Sequence, residues 1–316
     1  MIRLAAVLLV SLLPFASAFS HDDTDDLLKA IRKARLIDLS HAWTNSSPIA
    51  SVNPPYHFSL AATHANTRCT FGDGCQLSFT SEVQNFSGQH GAPSIDALGH
   101  IGRDGKLFGG VDAATATSDP NGIGQQAGGA GANLAIDQFP QDLLVNRGVL
   151  LDVARLVNGD LTPLPARFEI TAKHLQDAAK RQKVQVRRGD TVFIRTGWGQ
   201  YFAGASALYA GADSPGPGVD GANWLIKQGA RIVGDDTLTF EQRPPLSFDA
   251  AGNVTAVFPV HMRLIADSGI FIIENLDLEG LAKAKAYEFV AVVPPLKVLG
   301  GTGSAVRIFA LVGKDD

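Results

Sequence analysis

The 316-residue sequence predicts an α/β fold, a single compact domain around a mixed sheet, and three observations carry that prediction. The second half alternates short apolar runs with amphipathic helix-length segments, the order expected where strands pack beneath helices. The composition, 45% hydrophobic and 18% charged, belongs to an ordinary globular chain. No internal repeat and no low-complexity linker divides the sequence, so one large domain is simpler than two small ones.

The first element is a targeting segment. Arg3 supplies a positive charge, residues 4–13 are apolar, Pro14 ends the run, and Ala16-Ser17-Ala18 fits a small-x-small cleavage site. Residues 1–18 read as a signal peptide, with the mature chain starting at Phe19. The apolar run is too short for a comfortable membrane span, and no later segment is long and apolar enough. The expected location is therefore periplasmic or secreted, with no membrane contact once the signal is removed. The charge of -4 is mild and no block of Lys or Arg stands out, which argues against nucleic acid as a partner.

Residues 19–35 form an N-terminal segment: a polar, acidic start, then a helix over 26–34 with apolar spacing at Leu27, Leu28 and Ile31. The main domain is expected over 36–316. Residues 37–41 read as a short strand entering the core. Residues 43–75, rich in Asn, Ser, Pro and Thr, read as long surface loops. Within them Cys69 and Cys75 flank Thr-Phe-Gly-Asp-Gly, a turn sequence. In an oxidising compartment this pair is expected to form a disulfide that braces a short loop by about 2 kcal/mol. Residues 76–86 read as a strand.

Residues 109–135 are rich in Gly and Ala and read as a long loop, in the manner of a lid. Strands are expected over 147–153, 189–196 and 231–235, and helices over 171–182, capped by Thr171, and 220–228, ended by Gly229. A Pro-rich loop follows at 243–249, then a helix over 260–266. Gly269 stops that helix, and strand 270–273 ends at Glu274. Residues 287–293 and 306–312 supply two more strands.

The chemistry gathers in residues 88–100, where small, turn-prone residues surround His90, Asp96 and His100. Imidazole and carboxylate are the usual ligands of catalytic zinc or manganese. The plainer reading is a polar loop whose histidines serve local hydrogen bonds. His261 falls in the first turn of a helix. Glu274 closes an apolar strand, where a carboxylate beside a core needs a partner. Their plainer reading is a surface histidine and a solvent-exposed glutamate. Ser94 lies near His90 and Asp96, but no Gly-x-Ser-x-Gly elbow surrounds it. His41 either makes a structural hydrogen bond or lines the pocket; His57, His64 and His174 read as surface residues, and Trp198 and Trp224 as packing residues rather than substrate platforms. Asp235 and Asp236 either reach the site or cap a strand end.

An ordered set of motifs carries a resemblance. It runs through Asp38-Leu39-Ser40-His41, the His90 to His100 cluster, Gly148-Val149-Leu150-Leu151-Asp152, Gly189-Asp190-Thr191-Val192, Arg195-Thr196-Gly197-Trp198, Val260-His261, Glu274-Asn275-Leu276 and the tail from Pro294 to Arg307. From about residue 36 onward the chain resembles the cyclase family of metal-dependent hydrolases, which includes bacterial kynurenine formamidase and isatin hydrolase, and among them its longer members. The family signature His-x-Gly-Thr-His-x-Asp-x-Pro-x-His places His90, Asp96 and His100 on its first histidine, its aspartate and its last histidine. Ser94 replaces the middle histidine, a family metal ligand, while Ala92-Pro93 replaces Gly-Thr and Leu98 the proline.

The resemblance implies a mixed, barrel-like sheet of the swivelling β/β/α type. It also implies two ligand sets. One, His90, Ser94 and Asp96, has lost a strong ligand, since a neutral hydroxyl binds zinc or manganese poorly. The other, Asp96, His100, His261 and Glu274, is intact. The expectation is one divalent metal per chain, zinc or manganese, held mainly by the intact set, or else weak metal binding. An alternative puts the ion on His90 and Asp96, completed by water, with His100 free. The implied activity is hydrolysis of an amide or cyclic amide by metal-activated water. His100 is expected to shuttle the proton, and Glu274 to orient His261 or bind the ion. The implied partners are a small-molecule substrate and further copies of the chain in a homo-oligomer. Substrate choice is expected to lie in loops 43–75 and 109–135. Two rivals remain at this point: a metal-free, non-catalytic ligand-binding protein on the same scaffold, and a lactone hydrolase.

Overall fold

The computed structural model describes residues 21–72, 74–89 and 91–313. The expected signal peptide, residues 1–18, lies outside the described residues. Among the described residues the chain divides into two units, residues 21–35 with residue 313 and residues 36–312. Within the first, the helix spans His21–Lys33. It starts earlier than its apolar spacing indicates, because acidic residues at an N-terminus favour the exposed amide dipoles there, as Arg32 and Lys33 favour the other end.

The second unit is organised by a nine-stranded sheet. Its strands are β1 (Arg35–Asp38), β2 (Ser94–Asp96), β3 (Val145–Asp152), β4 (Thr191–Arg195), β5 (Ile232–Asp235), β6 (Phe271–Glu274), β7 (Glu288–Val292), β8 (Gly303–Ala305) and β9 (Phe309–Val312). The spatial order is β1-β9-β7-β3-β4-β5-β6-β2-β8. The four central strands, β3 to β6, are parallel, whereas β7 and β2 flank them antiparallel. The sheet curls into a half-barrel, the mixed α/β architecture expected.

The central strands are buried on both faces, which is why they read as continuous apolar runs. Their side chains alternate between two cores. Val149, Leu151, Val192, Ile194 and Val233 pack with helices Ala172–Gln182 and Val219–Gln228. Leu150, Phe193, Ile232 and Ile273 turn to the other face, against Leu39, Phe289 and Ala291. Gly234 on β5 is required by this packing: a Cβ there would stand 2.9 Å from the Cβ of Ile273.

Several elements differ from the sequence reading. The expected loop 43–75 contains a strand, His57–Ala62, that pairs with Ser81–Asn85 in an exposed hairpin, so the strand expected over 76–86 is shorter. Its first strand was missed because it buries neither face and lies within a stretch rich in Asn, Ser, Pro and Thr. The Cys69–Cys75 disulfide forms within this segment. Loop 109–135 is not an open lid: Ala116, Ile123, Leu134 and Ala135 pack with Leu107 into a small core of their own. A second hairpin, Leu246–Phe248 with Val254–Val257, follows the Pro-rich loop. The helix at 259 begins as Pro259–His261 and continues as a wide turn of π type, Met262–Ala266. The strand expected over 306–312 is shorter, β9 at Phe309–Val312, and β8 at Gly303–Ala305 precedes it. β2, at the heart of residues 88–100, has no strand signal because its apolar content is a single residue, Ile95.

Candidate metal centre

The parallel strands end in charged residues: Asp152 on β3, Arg195 on β4, Asp235 on β5 and Glu274 on β6. In open α/β sheets the carboxyl ends of the strands are where ligands bind. Three of these ends are structural. Arg195, fully buried, bridges Asp152 at 2.9 Å and Glu279 at 2.7 Å. Asp236, just beyond β5, accepts the Thr196 and Gly197 backbone N–H groups and the Thr196 hydroxyl, while Asp235 accepts from Thr237. Asp235 and Asp236 therefore cap strand ends.

The end of β6 is different. The antiparallel register sets Glu274 opposite Ser94 and Ile272 opposite Asp96, so Glu274, Ser94 and Asp96 point to one face of the sheet. His261 enters from its short helix. Its Nε2 lies 3.2 Å from Glu274 Oε1 and 3.8 Å from Asp96 Oδ2. One ligand atom from each of Asp96, His261 and Glu274 lies within 4.8 Å of the others, and all three residues are buried. Glu241 completes the group from behind, its Oε1 accepting from His261 Nδ1 at 2.6 Å.

The electrostatics follow from three carboxylates around one imidazole, all shut away from water. Burial, reinforced by the charges of Asp96 and Glu241, pushes the Glu274 carboxyl up to about 8 despite the opposing pull of His261. Burial alone would depress the His261 imidazole, but hydrogen bonds and charge from Glu241 and Glu274 outweigh it and hold its pKa well above the ordinary value. The protein alone thus neutralises the cluster with protons, and a cation would serve the same end.

The remaining expected site residues fall as follows. His100 stands at the rim, 30% exposed, with Nε2 3.9 Å from Asp96 Oδ1, beside the buried trio rather than within it. Ser94 is buried, and its hydroxyl donates to the Gln89 carbonyl at 2.8 Å. His90 lies outside the described residues. His41 stacks on Phe202 with ring centroids 4.1 Å apart, and burial holds its pKa below the ordinary value. His174 caps its helix by accepting the Thr171 N–H, and His64 contacts Ser78. Trp198 packs with Ala92, Phe202, Tyr209 and Leu238. The sequence reading missed Glu241; its only signal is an acid directly after Leu238-Thr239-Phe240, which no periodicity marks. It also missed Arg243, half-buried two residues on, whose pKa burial lowers against the fields of Asp213 and Glu274.

Residues 37–242 match the Cyclase family model. The isatin hydrolase of Roseibium aggregatum is 31% identical over 159 residues, 46% of this chain; the match spans 54%, about half, of that relative's length. A solved structure described as a novel cyclase shares 25% identity with a TM-score of 0.75, covering 93% of this chain and 92% of that one. Isatin hydrolase A from Ralstonia solanacearum shares 18% identity with a TM-score of 0.67, covering 95% and 100%; that likeness is one of fold.

Proposed function

The chain belongs to the cyclase family, and from that premise we propose that it is an exported, metal-dependent hydrolase of amide or cyclic-amide carbon–nitrogen bonds. The observation that carries this reading is the buried meeting of Asp96, His261 and Glu274 with Glu241 behind them, three carboxylates to one imidazole. Two carboxylate oxygens and one imidazole nitrogen are a donor set suited to zinc or manganese, and the excess negative charge fits a divalent cation. Asp96, His261 and Glu274 would hold the ion. The names of the isatin hydrolases support the reaction class, and the Cys69–Cys75 disulfide with the leader-like residues 1–18 supports export. Among the described residues no helix is long and apolar enough to cross a membrane.

A divalent ion bound there supplies a lowered pKa for water and polarisation of the scissile carbonyl. His100, at the rim, would carry a proton to the departing nitrogen. Asp96, with one oxygen toward His100 and the other toward His261, ties the proton carrier to the centre. A neutral hydroxyl is a weak ligand in place of the family histidine, and the Ser94 hydroxyl hydrogen goes to the Gln89 carbonyl rather than to a general base that would make it a nucleophile. One ion per chain follows.

The test is elemental mass spectrometry of the purified protein after dialysis, followed by hydrolysis assays on formamides, cyclic imides and lactams with and without chelator. About one equivalent of zinc or manganese, with chelator-sensitive hydrolysis, is the expected result. No metal, and none taken up on addition, overturns the reading in favour of a metal-free ligand-binding protein. Hydrolysis of lactones alone would move the bond specificity to esters.

A further inference from the structure

Glu241 is buried, 1% exposed, on the segment that runs from the end of β5 to the Pro-rich loop. Its carboxylate makes three contacts, all with one place. Oε1 accepts the His261 backbone N–H at 3.0 Å and faces His261 Nδ1 at 2.6 Å, and Oε2 accepts the Val260 N–H at 3.2 Å. These are N–H groups of the first turn of the helix begun by Pro259, where no intrahelical acceptor exists. One side chain therefore caps the helix start and grips the imidazole that the helix delivers. Phe258 closes the opposite side, its ring edge-on to His261 with centroids 5.3 Å apart.

The grip decides where the imidazole hydrogen sits. A neutral imidazole carries one N–H and one lone pair. With the hydrogen on Nε2, the Nδ1 lone pair would be pressed against a buried carboxylate oxygen at 2.6 Å. With the hydrogen on Nδ1, that contact is a charge-assisted hydrogen bond, and the Nε2 lone pair faces Asp96 and Glu274.

We propose that Glu241 is a positioning residue of the centre, which fixes His261 in the Nδ1–H tautomer and aims its Nε2 at the space between Asp96 and Glu274. This rests on the metal-binding reading above and adds to it a residue that touches neither ion nor substrate. Carboxylates that orient a ligand histidine in this way set metal affinity, and their loss typically weakens it about 10–100-fold.

The experiment compares the wild type with E241Q and E241A in mature protein labelled with 15N-histidine. Zinc affinity is read by competition with a chelating dye, and the His261 ring by long-range 1H–15N correlation. The expected result is a slowly exchanging Nδ1–H in the wild type, with and without zinc. In E241A that proton exchanges rapidly and zinc binds about 10–100-fold more weakly. E241Q, nearly isosteric, keeps an acceptor without the charge and falls between; it carries the test alone if E241A fails to fold. Variants that bind zinc within twofold of the wild type with an unchanged His261 spectrum overturn the proposal. A wild type that takes up no zinc overturns the metal reading instead, while the Nδ1–H exchange still decides the role of Glu241.

Discussion

His261 draws its significance from its neighbours. The His261 imidazole, flanked by Glu241 and Glu274 and faced by Asp96, is the partner these three buried carboxylates share, so its loss leaves them without it. His261→Ala is therefore expected to abolish both metal uptake and hydrolysis, measured as metal content and turnover in one preparation; retention of both would dismiss the site. Ser94→His restores the missing family ligand type beside Glu274 and is expected to raise metal content above one equivalent. It should also lower stability by roughly 1–3 kcal/mol, because a larger ring enters a filled space. Asp236 makes a separate prediction. Burial raises its carboxyl to about 6, against opposing contributions from Arg195 and Thr196. The folded state thus binds this proton more tightly than the unfolded chain, and its contribution to stability falls as pH rises from about 4 through 6. A carboxyl 13C titration of Asp236 should show a midpoint near 6; one near 4 would contradict it. Asp96, His100, His261 and Glu274 were legible in the sequence because each carries its own chemistry in a recognisable motif. Glu241 was not, because a carboxylate whose work is to hold another residue has no spacing of its own.

At the scale of elements, β3, β4 and the helix Glu279–Ala284 are tied through one buried arginine. Arg195→Ala leaves Asp152 inside the protein without its main counter-charge, and the expected cost is about 3–5 kcal/mol in a urea titration. Parallel strands announced themselves by apolar runs bounded by Gly or Asp, as at β3, β4 and β5. The exposed strand His57–Ala62 and the three-residue β2 did not. The hairpin His57–Ala62 with Ser81–Asn85 and the strand β2 are stabilised by pairing with distant segments, and a local pattern carries no trace of that. The disulfide belongs to the hairpin segment, which lies away from both cores of the sheet. Replacing Cys69 and Cys75 by Ser is therefore expected to speed proteolysis within residues 57–85 while leaving the main thermal transition in place.

Across the molecule the charged residues are sorted by sheet geometry. The four parallel strands deliver their carboxyl ends to one edge, and three of those ends are spent on ion pairing and capping while the fourth faces β2 and the His261 helix. The sequence by itself determined the α/β class, the ordered motifs of the family and the residue types available for a metal, since these depend on periodicity and on side-chain chemistry read locally. Only the tertiary structure decided which of those residues meet. Asp96, His261 and Glu274 are separated by up to 178 positions and converge because β2 pairs antiparallel with β6 and because one helix packs beside that pair. Asp235 and Asp236, equally acidic and equally close to a strand end, were turned instead toward backbone N–H groups. Strand register and helix packing are long-range agreements between segments, and a carboxylate becomes a ligand or a cap according to what those agreements place in front of it.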